Sequence, residues 1–259
     1  MGKFSGILIC SDVDGTFRCD EVTTKVNGEA VKYFIENGGM FSFATGRSVP
    51  HVQNSELRNY INAPTINLNG GVVYDYNADK LIWENRLDFT VGEFLESTEG
   101  YIKESTIMYI YNGINESDAL VCTINDITDN IMKMNVIKMY IMFETKDEAD
   151  AFKNFGMTNS CLKDCYISNS WERGLEIDGK NATKGNGLDY IRNYMGNIHT
   201  TVGVGNYEND IPLITHADIG VAVGNATDDV KKCADLIVKP CSEFAIKDLI
   251  EILEKRVTK

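Results

Sequence analysis

Near its start the chain reads Ile7-Leu8-Ile9-Cys10-Ser11-Asp12-Val13-Asp14-Gly15-Thr16. The apolar run from Ile7 to Val13 predicts a short buried strand, because such runs are typical of parallel sheets. Asp12 and Asp14 close this strand, and Gly15 permits the chain to turn immediately afterwards. In an open α/β sheet, ligands bind at the carboxyl ends of the strands. We therefore expect both carboxylates to face such a crevice, although an ordinary acidic turn could contain the same residues.

The first 80 residues and the last 80 alternate between strand-like and helix-like segments. Apolar runs at Met40–Thr45 and Pro64–Leu68 follow the first strand, and amphipathic stretches lie between them. This β-α-β-α-β order, with short loops, predicts a doubly wound, mostly parallel α/β sheet of Rossmann-like layout. The alternation resumes late in the chain and ends in an amphipathic helix from Glu243 to Val257. We therefore predict one α/β core formed by residues 1–79 and 181–259.

The middle of the chain, residues 80–180, has a different pattern. Strand-like runs follow one another there without an intervening helix, which favours antiparallel pairing. These runs are Lys80–Trp83, Thr106–Tyr111, Leu120–Ile124, Val136–Phe143, Cys165–Ser168 and Gly174–Ile177. Helices are expected near Val91–Lys103 and Lys146–Phe155. The segment is therefore predicted to be an inserted α+β module, with boundaries that no linker or repeat marks.

The composition limits the classes of partner that we expect. The 259 residues include 38 acidic and 25 basic side chains, so the formal charge is −13. Such a surface repels nucleic-acid backbones and anionic lipid, and neither is predicted as a partner. No stretch of the sequence is apolar enough to cross a membrane, and the N-terminus does not resemble a signal peptide. Seven irregularly spaced cysteines fit reduced thiols, which predicts a cytoplasmic protein.

Three further motifs follow predicted strands or begin a predicted helix. Thr45-Gly46-Arg47 ends the second strand, where a hydroxyl and backbone amides could bind phosphate oxygens. Lys184-Gly185 opens a helix after the middle module. Gly205-Asn206-Tyr207-Glu208-Asn209-Asp210 follows another strand and contains the carboxylate and amide oxygens that suit Mg²⁺. Taken singly, each motif also occurs in ordinary turns and on charged surfaces.

Paired carboxylates after a strand suit phosphoryl transfer. One carboxylate can attack phosphorus and form an aspartyl-phosphate, and its neighbour can donate a proton to the leaving group. With the other three motifs in order, the sequence resembles the haloacid dehalogenase superfamily. Asn69-Gly70-Gly71 and Ile219-Gly220-Val221-Ala222-Val223-Gly224-Asn225-Ala226 are similar to its Cof-type branch. The long interval between Thr45 and Lys184 lies where this branch inserts its type-two (subclass IIB) cap.

The resemblance implies a Mg²⁺-dependent phosphomonoesterase that acts on a small phosphorylated metabolite, with a sugar phosphate as one candidate. It implies that Asp12 is the nucleophile and Asp14 the general acid and base. Lys184 would neutralise the phosphoryl group and orient Asp12. The implied substrate-binding residues are Thr45, Gly46, Arg47, Asn69 and Asn209. The implied Mg²⁺ ligands are Asp12, Asp14 through its backbone carbonyl, Asn206 and Asp210.

Asn206 departs from the family pattern, which usually has Asp at this position. The amide can still ligate a metal through its carbonyl oxygen, but one negative charge is missing, and Glu208 is a candidate to compensate. Two alternatives to hydrolysis stay open: a phosphomutase-like phosphoryl transferase, and a weakly active relic that binds phosphorylated metabolites. Neither the physiological substrate, the cap residues that select it nor the oligomeric state follows from the sequence.

Overall fold

The computed structural model describes residues 2–114 and 119–257. Its strands in chain order are β1 (Ile7–Ser11), β2 (Met40–Phe43), β3 (Thr65–Asn67), β4 (Val72–Asp75), β5 (Lys80–Glu84), β6 (Ile107–Tyr111), β7 (Leu120–Cys122), β8 (Lys138–Met142), β9 (Cys165–Trp171), β10 (Gly174–Gly179), β11 (Thr200–Gly205), β12 (Ile219–Ala222) and β13 (Leu236–Ile237). Its helices are α1 (Glu21–Glu36), α2 (Val49–Gln53), α3 (Val91–Ser97), α4 (Asp129–Met132), α5 (Lys146–Gly156), α6 (Lys184–Met195), α7 (Ile211–His216), α8 (Asp228–Cys233) and α9 (Ala245–Val257). None of the helices in the described part of the chain has the length and apolar character of a membrane span.

The central sheet is parallel and has the strand order β13-β12-β11-β1-β2. Successive side chains of a strand point to opposite faces, so β1 contributes to two hydrophobic clusters. On one face Ile9 belongs to a cluster with Phe34 of α1 and Leu249 of α9. On the other face Leu8 belongs to a cluster with Leu188 of α6. Helices thus cover both faces, which confirms the predicted doubly wound α/β core.

A small antiparallel sheet, β3-β4-β5, continues the core beyond β2. It joins the central sheet through an isolated bridge between Ala44 and Ile66. Trp83 of β5 stacks on Tyr190 of α6, with ring centroids 4.2 Å apart. The sequence interpretation that counts Lys80–Trp83 among the strands of the inserted module is therefore wrong for this strand. Apolar periodicity indicates that a strand exists, but it does not identify the strand's partner.

The inserted module contains an antiparallel sheet of order β7-β6-β8-β10-β9, which we call the cap sheet. One face of the cap sheet belongs to a hydrophobic cluster that includes Phe94 of α3 and Phe152 of α5. The chain enters the module after β5 and leaves it after β10. These two crossings touch, because a Cβ atom on Gly179 would lie 2.0 Å from Oδ1 of Asn85. The predicted antiparallel α+β character of the module is confirmed.

Candidate active site

Asp12 and Asp14 leave the central sheet at the carboxyl end of β1. The amide of Asp12 donates to the carbonyl of Val204 at 2.9 Å, so the chain still runs beside β11 at this point. Gly15 then turns the chain with a left-handed φ of 78°. A Cβ atom there would lie 2.6 Å from Nδ2 of Asn206, so a larger residue would both strain the turn and displace Asn206. The turn leaves Asp12 buried and the side chain of Asp14 65% exposed.

Lys184 joins the first motif to the last. It is the first residue of α6, and its side chain is buried. Its Nζ lies 2.8 Å from Oδ1 of Asp12 and 2.6 Å from Oδ1 of Asp210. The second oxygen of Asp210 accepts hydrogen bonds from the amides of Asn206 and Tyr207, at 2.8 and 3.1 Å. One ammonium therefore holds carboxylates that follow two neighbouring strands, β1 and β11.

This cluster contains two acidic side chains and one basic side chain. Burial and the charge of Asp210 together raise the pKa of Asp12 to about 7, against the attraction of Lys184. Burial alone would lower the pKa of Lys184, but the two carboxylates outweigh this effect and hold that pKa above its ordinary value. Two buried carboxylates share one ammonium. A further cation would relieve their repulsion.

The donors around Asp12 fit Mg²⁺. They are hard oxygen atoms, and the excess negative charge of the cluster favours a divalent cation. The described residues contain no group of three or more His, Cys, Asp or Glu side chains that could hold a metal ion. The predicted ligand set does not need one, since it combines two carboxylates with the carbonyl of Asp14 and the amide oxygen of Asn206. That oxygen accepts a hydrogen bond from the hydroxyl of Thr16 at 3.2 Å. These ligand roles stay predictions.

A cavity of about 240 Å³ adjoins Asp12 and Asp14. The predicted substrate-binding residues that line it are Thr45, Gly46, Arg47 and Asn209. Asn206 also lines it, whereas Lys184 and Asp210 lie behind Asp12. The structure thus brings the four sequence motifs to one place, at the carboxyl ends of β1, β2 and β11.

Asn69 lies behind this lining and links the core to the cap sheet. It is buried, with a left-handed φ of 55°. Its backbone amide donates to the carbonyl of Thr45 at 3.0 Å, and its Oδ1 accepts from Nδ2 of Asn209 at 3.4 Å. Its Nδ2 donates to the carboxylate of Glu176 on β10. Asn69 therefore positions two predicted substrate-binding residues and contacts the inserted module at the same time.

Sequence reasoning missed a buried charge cluster on the cap sheet. Lys138 of β8 has its Nζ 3.0 Å from Oε1 of Glu176 and 3.9 Å from Oδ1 of Asp178, both on β10. Burial raises the pKa of Asp178 to about 7, against the attraction of Lys138. Glu176 lines the same cavity as Asp12. The sequence does contain a signal for this cluster, because charged residues occur within predicted strands that are otherwise mostly apolar.

Glu208 does not take the position that the sequence suggests for it. Its carboxylate pairs with Nζ of Lys153 on α5, at 2.8 and 2.9 Å, and accepts from the amide of Asn169 at 3.3 Å. The lining of the cavity beside Asp12 does not include it. The suggestion that Glu208 compensates for Asn206 at a metal is therefore not supported by its contacts. Instead, Glu208 ties the core to the inserted module.

Comparisons with known proteins agree with this geometry. The model of the haloacid dehalogenase-like hydrolase family matches residues 9–250. The 5-amino-6-(5-phospho-D-ribitylamino)uracil phosphatase YcsE of Bacillus subtilis is 24% identical over 236 residues, which cover 89% of this chain and 88% of YcsE. A phosphoglycolate phosphatase of Methanobrevibacter smithii is 23% identical over 245 residues, which cover 94% of this chain and 96% of that protein.

A solved structure of the same architecture is the subclass IIB sugar phosphatase BT4131. It superposes with a TM-score of 0.75 at 22% identity, and the match covers 95% of this chain and 98% of that one. The likeness extends over both the parallel core and the inserted module. The chain therefore belongs to the haloacid dehalogenase-like hydrolases, and it is a phosphatase of the Cof-type branch with a subclass IIB cap.

Proposed function

We propose that this phosphatase is a Mg²⁺-dependent phosphomonoesterase that hydrolyses a small organic phosphate through an aspartyl-phosphate at Asp12. The observation that carries the proposal is Lys184, which holds Asp12 and Asp210 beside a cavity lined by Thr45 and Gly46. The names of the two relatives, a uracil-derivative phosphatase and a phosphoglycolate phosphatase, support a small phosphate ester as substrate. The name of BT4131 makes a sugar phosphate one candidate.

In the first step an oxygen of Asp12 attacks phosphorus, and the bond from phosphorus to the ester oxygen breaks. Asp14 gives its proton to that oxygen as the alcohol leaves. The hydroxyl of Thr45 and the amide of Gly46 donate to the phosphoryl oxygens, and Lys184 keeps Asp12 ionised and oriented. Bound Mg²⁺ would supply positive charge beside the phosphoryl group, held by Asp12, Asp210 and the oxygens described above.

In the second step Asp14, now ionised, accepts a proton from a water molecule that attacks phosphorus. The bond between phosphorus and Asp12 breaks, and inorganic phosphate is released. Both carboxylates return to their starting protonation states. Each carboxylate therefore acts twice, Asp12 as nucleophile and leaving group, and Asp14 as acid and base.

The inserted module is proposed to act as a cap over this site. Glu176 of the module lines the same cavity as Asp12, and Lys153 of the module pairs with Glu208 of the core. We also propose a cytoplasmic location, because all seven cysteines are free thiols, among them the close neighbours Cys161 and Cys165.

The experiment is chemical trapping of the intermediate. The protein is mixed with acetyl phosphate and Mg²⁺, quenched, and treated with borohydride, which reduces an aspartyl-phosphate to homoserine. Mass spectrometry should place homoserine at position 12, and the Asp12→Asn variant should show none. Modification at another carboxylate, or turnover without any modification, would overturn the assignment.

A second experiment, on the products, separates hydrolysis from the two alternatives. With a radiolabelled sugar phosphate, label found in a second sugar hydroxyl rather than in inorganic phosphate would indicate a phosphomutase-like transferase. Asn206 is the observation that favours a weakly active relic, because it removes one charge from the expected ligand set. Tight binding of phosphate esters without turnover or trapping at saturating Mg²⁺ would indicate that relic.

A further inference from the structure

The two faces of the cap sheet differ in character. Side chains alternate between the faces along each strand. Met108 and Ile110 of β6 and Ile141 of β8 are buried in the cluster that packs against α3 and α5. The alternate positions of β6 place Tyr109 and Tyr111 on the opposite face, and both are half-buried. One face therefore packs inside the module, and the other is turned towards the core, where Tyr111 also packs against the core's hydrophobic cluster.

A second cavity, of about 350 Å³, lies against this open face. Residues of the core and of the module both line it, among them Gly46, Arg47, His51, Tyr109, Tyr111 and Val121. Gly46 and Arg47 also line the cavity beside Asp12. The two cavities are therefore adjacent, and a group attached to a phosphoryl at Asp12 has room to extend into the second one.

The module's side of this second cavity is an aromatic and aliphatic wall. Val121 of β7 lies directly opposite Tyr109 in the strand pairing, and it is 55% exposed. The ring of Tyr109 is 5.3 Å from that of Tyr140 on β8, and the hydroxyl of Tyr140 accepts a hydrogen bond from Nε1 of Trp171 at 2.5 Å. The wall is thus held by neighbouring rings before any ligand enters.

Most of the surface of this lining is apolar. Its polar groups are the guanidinium of Arg47, which also faces the phosphoryl cavity, the hydroxyl of Ser48, the imidazole of His51 and the hydroxyls of Tyr109 and Tyr111. No aspartate or glutamate occurs among the described residues that line it. A sugar with several hydroxyls needs several hydrogen-bond acceptors and donors to replace water. A flat ring needs apolar area and aromatic faces on which to stack. The second cavity suits the ring better than the sugar.

We propose that the leaving group of the substrate contains a planar aromatic or heteroaromatic ring, which occupies the second cavity and stacks on Tyr109 and Tyr111. The inference rests on the proposed function, because it uses Asp12 as the point of phosphoryl transfer. It adds the class of substrate and the residues that select it. Tyr109 and Val121 are then specificity-determining residues that take no part in the chemical steps.

The test compares substrates matched in size and in leaving group. Benzyl phosphate and cyclohexylmethyl phosphate both release a primary alcohol of seven carbons, but only the first has a planar ring. We expect benzyl phosphate to have a kcat/KM about fivefold higher than that of cyclohexylmethyl phosphate, and higher than that of glucose 6-phosphate. Equal values for the matched pair, or a preference for glucose 6-phosphate, would overturn the proposal.

Variants assign the preference to the wall. Tyr109→Leu keeps the apolar bulk but removes the ring, and it should raise KM for benzyl phosphate about fivefold while kcat changes little. Tyr109→Phe keeps the ring and should stay within about twofold of the wild type. Val121→Asn, at an exposed position where folding is tolerant, should also raise KM for benzyl phosphate. KM for ethyl phosphate, which is too short to reach the wall, should not change in any variant.

A binding experiment without turnover separates this inference from the proposed function. Calorimetry with benzylphosphonate, which cannot be hydrolysed, should show weaker binding to Tyr109→Leu than to Tyr109→Phe. If acetyl phosphate is hydrolysed in an Asp12-dependent manner but benzylphosphonate binds both variants equally, the ring proposal alone fails. If benzylphosphonate binding depends on Tyr109 but no ester is hydrolysed, the cavity assignment stands and the proposed hydrolysis fails.

Discussion

Arg47 holds the carboxylate of Asp14 in a two-pronged ion pair. Its Nη2 lies 2.7 Å from Oδ1 and 3.0 Å from Oδ2 of Asp14, and its Nε lies 3.1 Å from Oδ2. Both oxygens of the carboxylate accept hydrogen bonds from the guanidinium, so neither is directed at a leaving group. The proposed acid step therefore requires Asp14 to leave Arg47. A phosphoryl group in the adjoining cavity would offer the guanidinium other oxygens, so we expect substrate binding to release Asp14.

From this pairing we expect Arg47→Ala to raise KM for a phosphate ester at least about tenfold, since a charge-assisted contact to phosphate is lost. The value of kcat should fall much less, because Asp14 is no longer held. Steady-state kinetics with p-nitrophenyl phosphate measures both. Arg256→Ala, on the last turn of α9 and remote from the site, serves as the control for loss of one positive charge. An unchanged KM in Arg47→Ala would contradict the role in binding.

Asp12→Asn should abolish turnover, because an amide cannot attack phosphorus, and it should raise the melting temperature in the presence of a chelator. Burial raises the pKa of Asp12 from its ordinary value of 3.8 to about 7 in the fold. The unfolded chain therefore releases this proton at lower pH than the folded protein does. Wild-type stability attributable to Asp12 is present below pH 4 and is lost as the pH rises towards 7.

The gain in melting temperature of Asp12→Asn over the wild type should therefore grow between pH 4 and 7 and then level off. Thermal unfolding across this pH range with EDTA measures it. Asp14→Asn is the matched control, since its side chain is largely exposed and its pair with Arg47 contributes at most about 1 kcal/mol. That variant should lose a factor of about 10²–10⁴ in rate with alkyl phosphates while binding is kept. A pH-independent gain for Asp12→Asn would contradict the burial argument.

Asn206→Asp should tighten Mg²⁺ binding, because it restores a negative charge beside Asp12. Titration calorimetry with Mg²⁺ alone should show a lower dissociation constant, and the Mg²⁺ concentration for half-maximal activity should fall in parallel. Glu208→Gln is the control, since Glu208 pairs with Lys153 and should leave the metal affinity unchanged. Affinity that stays constant or weakens in Asn206→Asp would place residue 206 away from the metal.

Removal of the cap should leave a core that folds. The two crossings touch at Asn85 and Gly179, so a short glycine-serine linker can replace residues 86–178. We expect a cooperative thermal transition, slow hydrolysis of p-nitrophenyl phosphate and little discrimination among esters. A second deletion, of residues 80–180, also removes β5 and the stacking of Trp83, and it should melt at a lower temperature. Equal stability of the two deletions would show that β5 does not stabilise the core.

Some of the candidate site residues at the carboxyl edge of the central sheet can be predicted from the sequence, because their positions depend on the local pattern of apolar residues. β1 and β2 are largely apolar runs, and the residues that follow them lie at the carboxyl edge of the sheet. Asp12 and Thr45 are predictable on this basis, whereas the role of Asp210 depends on the resemblance, because Asp210 lies five residues beyond the end of β11. The position of Lys184 likewise depends on the resemblance, and on a chain return of well over a hundred residues.

The residues that sequence reasoning missed depend on pairing between distant strands. Glu176 reaches the cavity only because β10 pairs with β8 and its open face turns towards Asn69. The misplaced strand Lys80–Trp83 has the same origin, since its partner β4 precedes it by only a few residues but belongs to the core. The carboxylate of Glu208 could serve as a metal ligand, but it forms an ion pair with Lys153 of α5 instead. Such partners become visible only in three dimensions.

The two unlike faces of the cap sheet also bear on how this lineage changes over time. Neither Tyr109 nor Val121 belongs to the hydrophobic cluster that includes Phe94 and Phe152, so a substitution at either position leaves that cluster intact. Selection for a new metabolite can therefore act on the open face at little expense in folding. Asp12, the proposed nucleophile, follows β1 of the central sheet and lies outside the cap sheet. The substrate preference of the protein can therefore change while the residues proposed for the reaction stay the same.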